Sequence, residues 1–141
     1  MDTMIKTVNG DIPRASLGIT LPHEHIICCN EIAYKCLGNR YLDKTELANA
    51  VVKHLRTLKE KYSLATIVDC TPLDLGRDVE LLKIISKRSG VNIVCATGFY
   101  YTEEATLSFA PLEMIADILI QDGGFKKLPA KAHTSGFFSG S

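Results

Sequence analysis

The chain has 141 residues, 16 of them basic and 16 acidic, so its formal charge at neutral pH is zero. One domain with one modest core is expected, and a complete (β/α)8 barrel, which needs about 200 residues, is excluded. A composition 46% hydrophobic and 23% charged belongs to a globular chain. The balanced charge argues against nucleic-acid or membrane-surface partners, and no apolar run approaches the about 18 residues of a bilayer span.

No apolar segment follows the first charges, so no signal peptide is expected. Two short β-like runs at 5–10 and 17–21, with Asp11-Ile12-Pro13 between them, predict a small hairpin. The second run continues through Pro22-His23-Glu24-His25-Ile26-Ile27 and reads as a buried strand, with Pro22 weakening the pairing where it begins. Residues 28–43 have no clear period and are expected to form a long loop. From Thr45 onward Leu47, Ala50, Val51, His54, Leu55, Leu58 and Tyr62 follow the 3.6-residue spacing of one helical face, and Asp43 or Lys44-Thr45 can supply the N-cap.

Residues 65–71 form an apolar run stopped by Pro72, as in a strand buried on both faces. A second helix is predicted over 77–89, with Val79, Leu82 and Ile85 on one face and Gly90 closing it. Residues 91–98 read as a third buried strand. A polar loop at 102–108 then leads to a third helix, with Ser108 to Ala110 near its cap and Pro111 in its first turn; it carries Leu112, Ile115, Ile118 and Leu119 and stops near Gly123-Gly124. Strands that are apolar throughout, alternating with helices, are the pattern of parallel βαβ units. The segment 123–141 has no apolar run and no period and is expected to be a disordered tail. The five cysteines are an odd number with no C-x-x-C pair; two of them lie inside predicted strands, which reads as reduced thiols packed in a core, as in a cytoplasmic protein.

The strongest chemical signal is His23-Glu24-His25. On a strand, residues i and i+2 project from the same face, so the two imidazoles stand together while Glu24 points away. Neutral imidazole is a good ligand for zinc and similar divalent ions, but a catalytic centre needs about three protein donors. Two hydrogen-bonded strand-end histidines would account for the motif equally well. His54 reads as a helix histidine packed beside Val51 and Leu55, and His133 as a solvated tail residue. Asp69 ends the second long strand, where it either serves a site or caps the following loop. Asp74, Arg77 and Asp78 open the second helix and suit either a bound anion or ordinary capping. Gly98-Phe99-Tyr100-Tyr101 could wall an apolar pocket or cover the rim of the sheet.

Three ordered stretches carry a family resemblance: Ile5 to Gly10 with Leu17-Gly-Ile-Thr-Leu-Pro-His-Glu-His-Ile26; Thr66-Ile-Val-Asp-Cys-Thr-Pro-Leu-Asp-Leu-Gly-Arg-Asp78; and Val91-Asn-Ile-Val-Cys-Ala-Thr-Gly-Phe-Tyr-Tyr101. Together they resemble the N-terminal portion of the phosphotriesterase family within the amidohydrolase superfamily, over about residues 4 to 122. The resemblance implies an eight-stranded barrel hydrolase in which His23 and His25 bind the more buried of two divalent metals, commonly zinc. It also implies a bridging lysine on the fourth strand, histidines on the fifth and sixth, and a proton-accepting aspartate on the eighth. A metal-bound hydroxide would attack a phosphoester, lactone or amide centre, a lactone or related small ester being favoured and amide hydrolysis staying open. Tyr100 would line the substrate pocket, with Gly98 bending the strand end toward it.

This chain shows no context for the later ligands; Lys126, Lys127 and Lys131 lie in sequence that does not match, so no catalytic residue is assigned. The expected architecture is α/β, a partial TIM barrel made of an N-terminal hairpin and about three βα units over 1–122, followed by a non-matching tail over 123–141. The expected function is that of an N-terminal fragment of a zinc-dependent hydrolase acting on a small-molecule ester, lactone or phosphoester, inactive as this chain alone. The alternative is a non-catalytic α/β module whose apolar face is covered by a partner or, as a homo-oligomer, by a second copy.

Overall fold

The computed structural model describes residues 3–100 and 110–122. The expected loop at 102–108, the cap residues Ser108 and Phe109, Tyr101, the Gly123-Gly124 stop, the tail and His133 lie outside the described residues. Five strands and four helices follow in chain order among the described residues: β1 (Met4–Thr7), β2 (Gly10–Pro13), β3 (Ile19–Glu24), α1 (Glu31–Leu37), α2 (Lys44–Tyr62), β4 (Leu64–Asp69), α3 (Val79–Ser89), β5 (Asn92–Cys95) and α4 (Leu112–Asp122). The last three strands form one parallel sheet in the order β3-β4-β5, and β1-β2 is a separate antiparallel hairpin. This is the mixed α/β fold, with helices alternating with parallel strands, that the apolar runs predict.

The hairpin has different arms from those expected. Residues 5–10 do not form one run: Val8-Asn9 makes the turn, Gly10–Pro13 becomes the second strand, and Met4 pairs with Pro13. Gly10, at φ +116°, takes up the left-handed backbone immediately after that turn, which glycine adopts at little steric cost. The run at 17–21 instead enters the parallel sheet through β3. That strand is half exposed rather than buried; it lies at the edge, where Pro22 is tolerated and the register with β4 shifts between Leu21 and Glu24. Central β4 is buried on both faces, with Thr66, Ile67 and Asp69 almost completely covered.

The expected long loop at 28–43 contains α1 and a 3-10 turn, Gly38–Arg40. Asn30 caps α1 by accepting from the Ala33 N–H at 2.8 Å, but no residue of this helix is buried, so it left no apolar period to read. In α2 Asp43 is the N-cap, accepting from Thr45 and Glu46 N–H groups at 2.8 and 3.0 Å. The buried face is Ala48, Val52 and Leu55, flanked by Leu47, Val51 and Leu58. His54, expected to pack, is exposed, as are Ala50 and Tyr62; counting a histidine as apolar rotated the predicted stripe around the helix.

In α3 Leu81, Leu82 and Ile85 enter the core, and Gly90 ends the helix by donating its N–H to the Ser86 carbonyl at 2.9 Å. Burying Leu82 and Ile85 stabilises the fold by about 1.5–3 kcal/mol each. Arg56 and Lys59 of α2 close the C-terminal end of α3, donating to the carbonyls of Arg88 and Gly90. Helix ends leave such carbonyls without intrahelical partners, and basic side chains suit the negative end of the dipole. No helix among the described residues is long and apolar enough to cross a membrane.

At the opposite ends of the two helices, Lys44 meets Asp78 at 2.6 Å, with each side chain about one quarter exposed. Burial works against ionisation of Asp78, but the Lys44 hydrogen bond and the Leu81 and Glu80 N–H groups hold its carboxyl below the usual carboxylate range. Burial likewise opposes the Lys44 ammonium, and Asp78 outweighs it to raise that group. A depressed carboxyl contributes stability above its unfolded pKa, about 3.9, and loses it as pH falls through the folded value; a raised amine contributes below about 10.4 and loses it as pH rises through its folded value. Asp78→Asn keeps a capping oxygen and removes the ion pair. We expect urea unfolding to show it about 1 kcal/mol less stable than wild type across the neutral range, with the gap narrowing at both pH extremes. A gap independent of pH would show that the pair contributes through the cap alone.

Candidate functional site

Because β3, β4 and β5 run parallel, the residues that follow each strand gather along one edge of the sheet. There β3 delivers His23, Glu24 and His25, β4 delivers Asp69, Cys70 and Thr71, and β5 delivers Cys95 and Ala96. The backbone stays tied past the strand ends: Cys70 N–H donates to the Glu24 carbonyl and Ala96 N–H to the Asp69 carbonyl, both at 2.8 Å.

His23 and His25 stand together on this edge. Their ring centroids are 5.3 Å apart and the planes meet at 74°, edge to face. Both side chains are exposed. His25 is held from behind: its Nδ1 lies 3.2 Å from Oγ1 of Thr71, a residue only 1% exposed. His23 makes no hydrogen bond with the described residues.

Asp69, paired in register with Glu24, is buried, 1% exposed. Its Oδ2 accepts from Ile26 N–H at 3.2 Å and its Oδ1 from Thr71 N–H at 2.8 Å. Of its two expected roles, the structure shows capping, of two loops at once. Arg77 is also buried and donates to the Ala96 carbonyl. Burial draws its guanidinium down from the usual range, and nearby Cys95 and Asp69 oppose that shift. Arg77 is therefore not an opening charge of α3; that role belongs to Asp78, whose Oδ1 accepts from Leu81 N–H at 3.0 Å. The signal was available, since a cation at a helix N-terminus opposes the dipole and calls for another explanation.

The turn between β4 and α3 needs Gly76, which has φ +84°. A Cβ there would lie 2.4 Å from Cys29 Sγ and 3.0 Å from the Cys29 carbonyl oxygen. Cys29 N–H in turn donates to the Leu75 carbonyl at 3.0 Å, so the loop after β3 packs directly on the loop after β4. Asp74 sits in the intervening 3-10 turn, Leu73–Leu75. Beyond β5, Gly98 accepts from Leu73 N–H at 3.3 Å, and Tyr100 lies 48% exposed at the same end of the sheet.

The five thiols are free. Burial pushes Cys29 and Cys95 up, which keeps them protonated and poor as ligands or nucleophiles at neutral pH. Both oxygens of Asp69 are committed to backbone donors. The histidine pair could offer a divalent cation two nitrogen donors, and among the described residues no cluster of three or more His, Cys, Asp or Glu exists to complete a shell. His54, midway along α2, joins no such cluster.

The model of the phosphotriesterase family matches residues 3–124. An aryldialkylphosphatase of Saccharolobus solfataricus is 32% identical over 113 residues, covering 79% of this chain and 35% of that protein. A phosphotriesterase homology protein of Mycobacterium tuberculosis is 30% identical over 128 residues, 84% of this chain and 39% of its own length. The N-acetyltaurine hydrolase of Mus musculus is 28% identical, again over 84% of this chain and 42% of that protein. The chain spans about two fifths of the length of the curated relatives it matches.

Asp69→Asn would set an amide donor against one of two backbone donors in a buried place. The expected cost is roughly 1–3 kcal/mol, the penalty for one buried unsatisfied group. A denaturant midpoint matching wild type would show that the loops hold without this carboxylate.

Proposed function

As this chain belongs to the phosphotriesterase family, we propose that it carries the first-strand ligand pair, His23 and His25, of a metal-dependent hydrolase. The observation that carries the proposal is the pairing of two exposed imidazoles, 5.3 Å apart, at the edge where parallel strands end. We take zinc as the metal, one of two in a complete site, held within an eight-stranded barrel of which β3, β4 and β5 are the first strands. When bound, such a metal supplies Lewis-acid polarisation of the substrate and an activated water.

The remaining roles fall to side chains of this chain. His25 is steadied by Thr71, and Asp69 fixes the two turns that bring those residues together. Tyr100, exposed at the same end, would form an apolar wall for the substrate, a small ester in which a lactone is favoured over a phosphoester. The names of the relatives, an aryldialkylphosphatase and an N-acetyltaurine hydrolase, support hydrolysis as the reaction class. Five free thiols fit a reducing compartment such as the cytoplasm. With two donors, the chain alone is expected to bind metal weakly and to leave lactones unhydrolysed.

Calorimetric titration of the full chain with zinc, and cobalt absorption spectra, test the ligand assignment. His23→Ala and His25→Ala should each lower affinity by more than about 10-fold, since even outer partners of a ligand are worth 10–100-fold. Unchanged binding in both variants would remove the pair from the metal site.

A further inference from the structure

A strand at the margin of a sheet turns alternate N–H and C=O groups outward, where another strand can pair with them. In β5 the outward residues are Ile93 and Cys95. Ala96 N–H donates to the Asp69 carbonyl, so residues 92, 94 and 96 face β4 and those between them face away. Among the described residues no further strand lies beyond β5. The outward carbonyl of Ile93 is nevertheless taken: it accepts from Val8 N–H, in the turn of the β1-β2 hairpin, at 2.9 Å.

The hairpin precedes β3, at the opposite margin of the sheet, so its connection must cross β5 and β4. Two side chains fix that crossing. Asn92 Nδ2 donates to the Ser16 carbonyl at 3.4 Å, and Thr66 Oγ1, on a residue that is completely buried, donates to the Leu17 carbonyl at 2.7 Å. At the tip, Asn9 Nδ2 donates to the Lys83 carbonyl at 3.2 Å and Val8 packs against the core. Between crossing and tip the hairpin stands off the sheet. A cavity of about 680 Å3 separates Lys6 and Thr7 from Val94 and Cys95. The hairpin is thus firmly rooted, but it meets the outer edge of β5 only at its tip.

We propose that the hairpin is a releasable latch over the outer edge of β5: closed, it denies that edge to another strand; open, it lets two copies of the chain pair through β5. The two margins of the sheet differ in a way that calls for such a device. β3 carries Pro22, Glu24 and a register shift, features that discourage a strand edge from pairing. β5 reads Asn-Ile-Val-Cys, without proline or charge, and has no such protection of its own. An unprotected edge is also complementary to itself, since two copies related by a two-fold axis exchange donors and acceptors between the same residues. None of these groups takes part in the proposed metal site.

The test combines amide hydrogen exchange with sedimentation velocity on the full chain, as wild type, Val8→Pro and Asn9→Ala. Val8 is the first turn residue and its φ is negative, because Ser63 is the one described non-glycine residue with positive φ. Proline suits that position and has no N–H, so Val8→Pro deletes the latch donor while the turn keeps its bond from Thr7 Oγ1 to the Gly10 carbonyl. In wild type we expect Val8 N–H to exchange about 100-fold more slowly than a free amide, and the chain to stay monomeric up to about 100 µM. Val8→Pro should dimerise over that range, with the Cys95 amide exchanging more slowly as concentration rises; Asn9→Ala should shift the same way by less. An unprotected Val8 amide in wild type overturns the latch without any variant. So does a wild-type Cys95 amide already protected by raising the concentration. Folded variants that stay monomeric overturn it too, as does a dimer that leaves Cys95 exchange unchanged. Should Val8→Pro fail to fold, the wild-type Val8 rate and Asn9→Ala decide.

Discussion

A single buried carboxylate organises the end of this sheet. Asp69 is the last residue of the central strand, and its oxygens receive N–H groups from the turns that follow β3 and β4, while its own carbonyl receives the N–H that follows β5. A carboxylate removed from water is costly unless its oxygens are satisfied, so the position is stable only while these turns hold their shape. The dependence is mutual. Turns that would otherwise fray become extensions of the strands, and the histidines and Thr71 inherit the precision of the sheet instead of the freedom of loops.

Arg77 gives the same region a second anchor. It reaches the Ala96 carbonyl from the turn before α3, close enough to Asp69 and Cys95 to feel both. Gly76 makes that reach possible, since the loop after β3 leaves no room for a side chain there. The edge that carries the histidines is thus a layer of interlocked turns resting on one parallel sheet. This arrangement suits a site whose exposed donors must be held still by groups that never touch the ligand.

Much of this was legible in the residues. The apolar runs of β4 and β5, the span of α2 and the Gly90 stop follow from period and cap chemistry, and the H-x-H spacing foretold two neighbouring rings. What was hidden has physical reasons. Helix α1 buries nothing, so no hydrophobic stripe marks it. The start of β2 was masked because Gly10 reads as a terminator, whereas in Asn9-Gly10 it opens the second arm. Thr71 and Arg77 gave no motif because their importance comes from hydrogen bonds across 46 and 19 residues of sequence, which no local pattern encodes. The local hints were the proline after Thr71 and, at Arg77, a cation placed where it opposes the helix dipole.

The capping of α3 by Arg56 and Lys59 has a consequence of its own. Those two cations work on the carbonyl end of the helix, while the Asp69 layer works on the carboxyl end of the strands, and the two sets share no partner. Tolerance to change is therefore partitioned along the strand axis. Sequence drift or engineering at the foot of the molecule can adjust thermal resistance while the histidine-bearing rim keeps its shape, and the rim can be remodelled against a reserve of stability lodged elsewhere.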